Sequence, residues 1–128
     1  MNYPRFDYHH AMPTPWGKAD GKHKIAAGVW DVSTPGHGGI MVGKKVARRL
    51  LSPAAIKRGM DWGSWYCYEE DCNWALFAYE QPGLYAASWK THAINPAEIT
   101  PEWVRREAHD SLIRWDQGYL TEIRMAGI

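Results

Sequence analysis

Polar and apolar residues alternate in a short stretch before residue 34, and apolar residues recur at helical spacing in several segments after residue 44. In residues 24–33, Lys-Ile-Ala-Ala-Gly-Val-Trp-Asp-Val-Ser, the strand formers Val29, Trp30 and Val32 flank Asp31 and predict a strand. Thr34-Pro35-Gly36-His37-Gly38-Gly39 predicts a tight turn, because proline presets one turn dihedral and glycine supplies the others. Ile40-Met41-Val42 predicts a short second strand ended by Gly43, so the two segments make a hairpin with a Gly-rich connection. Trp62-Gly63-Ser64 reads as a turn and Trp65–Tyr68 as a third strand.

Helical spacing takes over elsewhere. Residues 44–58 predict helix in one or two pieces, with Ser52-Pro53 as an N-cap and first-turn pair and Gly59 as a stop. A second helix is expected from Glu69 to about Glu80. Its apolar positions cover two faces, Cys72, Ala75, Leu76 and Tyr79 on one and Trp74, Phe77 and Ala78 on the other, which predicts a buried central helix ended by Gln81-Pro82-Gly83. Residues 84–99 fit strand or irregular chain. Thr100-Pro101 opens a third helix with a stripe of Val104, Ala108, Ser111/Leu112, Trp115 and Tyr119. Residues 1–23 predict an irregular arm, broken by Pro4, Pro13, Pro15, Gly17 and Gly21. Its aromatics Tyr3, Phe6, Tyr8 and Trp16 favour lying against the body. The expected fold is a single α+β domain over residues 24–128, with a small, mostly antiparallel sheet packed with about three helices.

Length and composition refine this picture. A chain of 128 residues buries one core without staples. Its apolar stretches fall short of the ~18 residues of a membrane span, so no membrane partner is expected. No apolar run opens the chain and only Cys67 and Cys72 are present, which together predict a reduced, cytoplasmic setting and structural thiols. Eight Trp and seven Tyr against two Phe favour a core with polar seams, a pocket or an interface, since each ring carries a polar tip. Ten of the fifteen Lys and Arg residues but only three of the fourteen acids precede residue 61. That asymmetry fits a basic surface for an anionic partner, or two halves whose charges pair on folding.

Four segments are candidates for chemistry. In the turn, Gly38 and Gly39 let backbone approach a ligand, Ser33 and Thr34 offer hydroxyls, and His37 suits a general acid or base because it titrates near neutral pH. A plain hairpin loop fixed by one histidine hydrogen bond is the alternative. Glu69, Glu70 and Asp71 are acids at an expected helix start, where the macrodipole favours them. Partial desolvation there would also prepare a catalytic carboxylate. A divalent metal on one His and two acids is the weaker option, since no second His or Cys lies at ligand spacing, and no metal or other cofactor is expected. Gly38–Lys45 nearly matches a phosphate loop, but Lys45 replaces the magnesium-binding hydroxyl and Ile40-Met41-Val42 is strand, so that signature is rejected. Lys44, Lys45, Arg48, Arg49, Lys57 and Arg58 form a basic stretch without an acid between Asp31 and Asp61. It would serve a ligand (Lys44, Lys45) or a partner surface (Arg48, Arg49, Lys57, Arg58), or else be a solvated helix face. His9, His10, His23, His92 and His109 are expected in surface or core roles.

Three blocks carry a resemblance: Thr14-Pro15-Trp16-Gly17-Lys18-Ala19-Asp20, Val32-Ser33-Thr34-Pro35-Gly36-His37-Gly38-Gly39, and Trp65-Tyr66 followed by Glu69-Glu70-Asp71-Cys72-Asn73-Trp74-Ala75. In order and spacing they resemble an uncharacterised domain family of bacteriophage and plasmid proteins, over about residues 14–90. Cys67-Tyr68 lengthens the third block relative to that pattern. The resemblance implies a mobile-element origin and, by association, a counter-defence role. The expected function is binding, with or without hydrolysis, of a nucleotide-like anionic ligand in a pocket of His37 and one or two of the acids. The alternative is a non-catalytic inhibitor that docks on a host protein or nucleoprotein complex through the basic helix and aromatic surface.

Overall fold

A computed structural model describes residues 12–91 and 93–127. The expectations for Tyr3, Phe6, Tyr8, His9 and His10, and for His92, lie outside the described residues. Strands β1 (Pro13–Thr14) and β2 (Gly17–Lys18) pair as a minimal hairpin in the stretch expected to be irregular. Then come β3 (Gly21–Ala26), β4 (Val29–Ser33) and β5 (Gly38–Gly43). Helices α1 (Lys44–Leu50) and α2 (Pro53–Arg58) lead to β6 (Met60–Trp62) and β7 (Trp65–Glu69). The chain closes with α3 (Trp74–Glu80), α4 (Pro82–Lys90), a 3-10 turn at Pro96–Glu98, α5 (Pro101–Trp115) and α6 (Gln117–Met125). No described helix is long and apolar enough to cross a membrane.

The fold class is the expected α+β, and its boundaries differ for local reasons. The strand expected over 24–33 is two strands, because Gly28 at φ 76° turns the chain and puts β3 back alongside β4. The helix expected from Glu69 begins at Trp74 instead. Glu69 ends β7, so the three acids do not sit at a helix start. Pro82 ends α3 and also opens α4, since a proline lacks an N–H that the first turn leaves unused anyway. Tyr85 and Trp89, four apart on α4, hold their ring centroids 5.1 Å apart in the stretch that fitted neither period. The last helix breaks at Asp116, whose side chain accepts the Tyr119 N–H at 3.0 Å and restarts the helix as α6. Trp115 therefore stays 66% exposed, off the stripe, while Tyr119 is buried. The caps at Ser52 and Thr100 form as expected, accepting from Ala55 N–H and Trp103 N–H at 3.1 Å each.

The five larger strands form one antiparallel sheet in the order β3-β4-β5-β7-β6. Strand alternation sorts its residues to two faces. Val29, Ile40, Val42 and Tyr68 join the main core with α3, α5 and α6. Val32, Met41 and Cys67 face the other way, under Met12, Trp16, Trp30, Trp62 and Trp65. Half of the tryptophans thus cover the second face of the sheet, where a helix layer would otherwise be needed. Cys67-Tyr68, the added pair in the third sequence block, sits in regular strand opposite Met41 and Ile40.

Charge pairing between the halves ties the helices together. Arg58 reaches Asp116 at 2.8 Å and Glu122 at 2.9 Å, Lys57 reaches Glu122 at 2.9 Å, and Lys44 reaches Asp61 at 2.6 Å. Lys57 and Arg58 hold the Glu122 carboxyl below the usual glutamate range. Glu80, the last residue of α3, accepts from the Ser52 N–H at 2.7 Å, the Ser52 hydroxyl at 2.6 Å and the Tyr119 hydroxyl. One carboxylate thus joins α2, α3 and α6. Glu80→Ala leaves three donors without their acceptor and should cost about 3 kcal/mol by urea denaturation, with Glu80→Gln costing less. An unchanged unfolding midpoint in Glu80→Ala would show that these bonds carry no stability.

Candidate functional site

The β4–β5 turn is held by one side chain. The Thr34 hydroxyl donates to the His37 carbonyl at 2.9 Å and accepts from the His37 N–H at 3.1 Å, while the Thr34 N–H reaches the same carbonyl at 2.7 Å. Thr34 is buried and spends its hydroxyl on the turn, so it shapes the loop and offers no free donor to a ligand. The Ser33 hydroxyl likewise donates to Asp20 at 2.9 Å. Fixing the loop in this way leaves the His37 side chain exposed beyond the end of the sheet.

Pairing of β5 with β7 then brings the acids to that histidine. Gly39 lies opposite Glu69, and the Glu70 N–H donates to the Gly38 carbonyl at 3.0 Å. Ligand atoms of His37, Glu69 and Asp71 all fall within 4.8 Å of one another. Glu69 is half-buried, and His37 and Asp71 are exposed. The cluster joins two segments about thirty positions apart in the chain. It is the set of one histidine and two acids weighed from the sequence, and among the described residues no second His or Cys joins it.

Of the other expected members of the site, Gly38 and Gly39 are buried ladder residues at the strand end beside the cluster, and Gly39 lines a hollow with Glu70. A Cβ on Gly39 would sit 2.2 Å from the Tyr68 carbonyl oxygen and 2.7 Å from the Trp16 ring, so the glycine permits strand and tryptophan packing. Lys44 and Lys45 follow the opposite end of β5, about 17 Å from Gly38 at ~3.3 Å per residue, so they do not share a pocket with His37. Lys44 is engaged with Asp61 and lies over the Tyr66 ring. On the expected partner surface, Lys57 and Arg58 are taken up by Glu122 and Asp116, and Arg58 also donates to the Ala54 carbonyl. Lys45, Arg48 and Arg49 stay exposed on α1 with no ion pair to a described residue.

Glu70 turns to the helix side of the sheet, away from Glu69. There, with Asp31, Trp74, Tyr85 and Trp89, it lines a hollow of about 300 Å3. Asp31 shares a sheet face with Val29, two residues earlier. A charged residue on the apolar side of a strand was the available signal for this hollow. Tyr85 and Trp89 gave none, because their stretch fitted no period. Burial pushes the Cys67 thiol up to about 12, and burial with the nearby Glu69 and Asp71 charges raises Cys72, which disfavours the thiolate of each.

Among the described residues this is a mixed nitrogen and oxygen cluster at a loop–strand edge of a small α+β domain. The chain belongs to the family described as a domain of unknown function (DUF7007), which matches residues 9–125. No curated protein and no solved structure matches the chain.

Thr34→Val removes both hydroxyl bonds of the turn and should destabilise the domain by about 1 kcal/mol, whereas Thr34→Ser should stay near the parent. Urea unfolding of the three proteins checks this, and equal midpoints for Thr34→Val and the parent would reject it.

Proposed function

We propose that the protein binds a nucleotide-like anionic ligand through a divalent cation held by His37, Glu69 and Asp71. The mutual approach of their ligand atoms to within 4.8 Å carries this reading. Two carboxylates alone repel a phosphate. One imidazole nitrogen and two carboxylate oxygens form a donor set for a divalent transition ion, which keeps open positions for phosphate oxygens. The cation thereby takes the neutralising part that Lys44 and Lys45, at the far end of β5, do not fill. Hydrolysis of such a ligand would draw on a cation-bound water with a carboxylate as base. In the mobile-element setting that the sequence blocks imply, the ligand belongs to the host cytoplasm and its capture counters a host defence.

Calorimetry with Mn2+ and AMP tests the reading. AMP should bind only when Mn2+ is present, and His37→Ala or Asp71→Asn should weaken Mn2+ binding about tenfold or more, a loss of roughly 1.4 kcal/mol. Equal AMP affinity without Mn2+, or unchanged Mn2+ affinity in both variants, would reject it.

The exposed, unneutralised Lys45, Arg48 and Arg49 on α1 favour a second reading. In it the protein docks as a non-catalytic inhibitor on an acidic host protein or nucleoprotein complex. Charge reversal at Arg48 and Arg49 should lower the salt needed to elute the protein from heparin, and His37→Ala should not. Failure of the parent to bind heparin at low salt removes this reading.

A further inference from the structure

A cleft runs between α4 and the helix-side face of the sheet, on the opposite side of β7 from Glu69. The hollow lined by Glu70 adjoins a second of about 340 Å3, and the two share Asp31 and Trp89. Trp74, Tyr85 and Trp89 wall the cleft, and Trp103, which lines neither hollow, continues their ladder of rings. Trp74 stacks on Tyr85 at 5.7 Å between centroids, Tyr85 meets Trp89 at 5.1 Å, and Trp89 meets Trp103 at 6.1 Å. Among the described residues that line either hollow there is no Lys or Arg, and the one basic side chain is His23, cross-strand from Asp31.

Besides His23 and Asp31, two polar side chains face this cleft, Ser88 and Glu70. Ser88 lines the second hollow and is only 7% exposed, yet its hydroxyl has no hydrogen-bond partner among the described residues. A buried hydroxyl in that state costs about 1–3 kcal/mol unless something reaches it. The Glu70 carboxylate makes no ion pair or hydrogen bond to a described residue, although it lies against Gly38 and the rings.

We infer that this cleft binds a small organic cation, with an ammonium or guanidinium group on a short apolar body. The Glu70 carboxylate and the negative faces of the indole and phenol rings attract the same sign of ligand, and they repel the anion proposed for the His37 cluster. The Ser88 hydroxyl accepts a hydrogen bond from an N–H of the ligand, which removes its burial cost. The volume suits a small molecule or a single side chain, and the rings cover its methylenes. This inference does not depend on the cation at His37, because Glu69 and Glu70 project from opposite faces of one strand end.

Titration of the full chain with agmatine and with N-acetyl-arginine amide tests it, read by tryptophan fluorescence and by the indole N–H shifts of Trp74 and Trp89. At least one probe should bind saturably and shift both indoles. Glu70→Gln should weaken that binding about tenfold, with Trp89→Ala similar and His37→Ala unchanged. Glu70 is exposed, so its amide variant keeps the fold and serves even where the tryptophan variant does not. Tighter binding of agmatine assigns the cleft to a free cation, and tighter binding of the arginine amide assigns it to a peptide side chain. No binding of either probe, or unchanged binding in Glu70→Gln, overturns the inference.

Discussion

The contact of β5 with β7 at Gly39 is the constraint on which the rest of the structure depends. Backbone from β7 and the ring of Trp16 close on this residue from two directions, and neither leaves room for a Cβ. Only glycine lets the strands meet there and lets the N-terminal hairpin cover the second face. That meeting sets Glu69 opposite Gly39, and from it follow the positions of Glu70 and Asp71 relative to the turn. The same strand end therefore serves two surfaces: Glu69 and Asp71 meet His37, and Glu70 meets the aromatic ladder.

Helix placement obeys a different kind of constraint. The segments α1, α2, α3, α4 and α6 are short, well below the length at which isolated helices hold themselves together. They persist because α3 is apolar on most of its surface and sits between the sheet and α5, and because polar side chains fix the junctions. Glu80 and Arg58 do this for the helix ends, each with bonds to more than one element. The half-exposed ion pairs each contribute little against solvent screening, and their effect is to set how the last helices lie on α2.

The charge asymmetry of the chain is accordingly resolved in part by internal pairing. Basic residues of the first half meet acids of the second at Lys44, Lys57 and Arg58. Three cations on α1 remain outside that pairing, and two carboxylates remain beside His37. The surface left over is locally basic at one end of β5 and acidic at the other. A chain with a formal net charge of +1 thus carries two surface regions of opposite charge.

Much of the fold was legible in the residues themselves. Ser52-Pro53 and Thr100-Pro101 mark helix starts, and Pro35 with its glycines marks the turn, because capping and turn chemistry are local. The apolar circumference of α3 announced its burial for the same reason. Less was legible where one residue serves two elements. Pro82 both stops and starts a helix, Asp116 breaks one, and Gly28 folds an expected strand in two; each outcome depends on what packs around it. The site divides along the same line. Composition and spacing singled out His37 and the run Glu69-Glu70-Asp71, since a histidine in a glycine-lined turn and consecutive acids are visible one residue at a time. Which acids face the histidine, and which faces the rings, was decided only by the register of β7 against β5. Side-chain direction alternates along a strand, so the partners of a carboxylate are set by strand pairing that no local sequence pattern encodes.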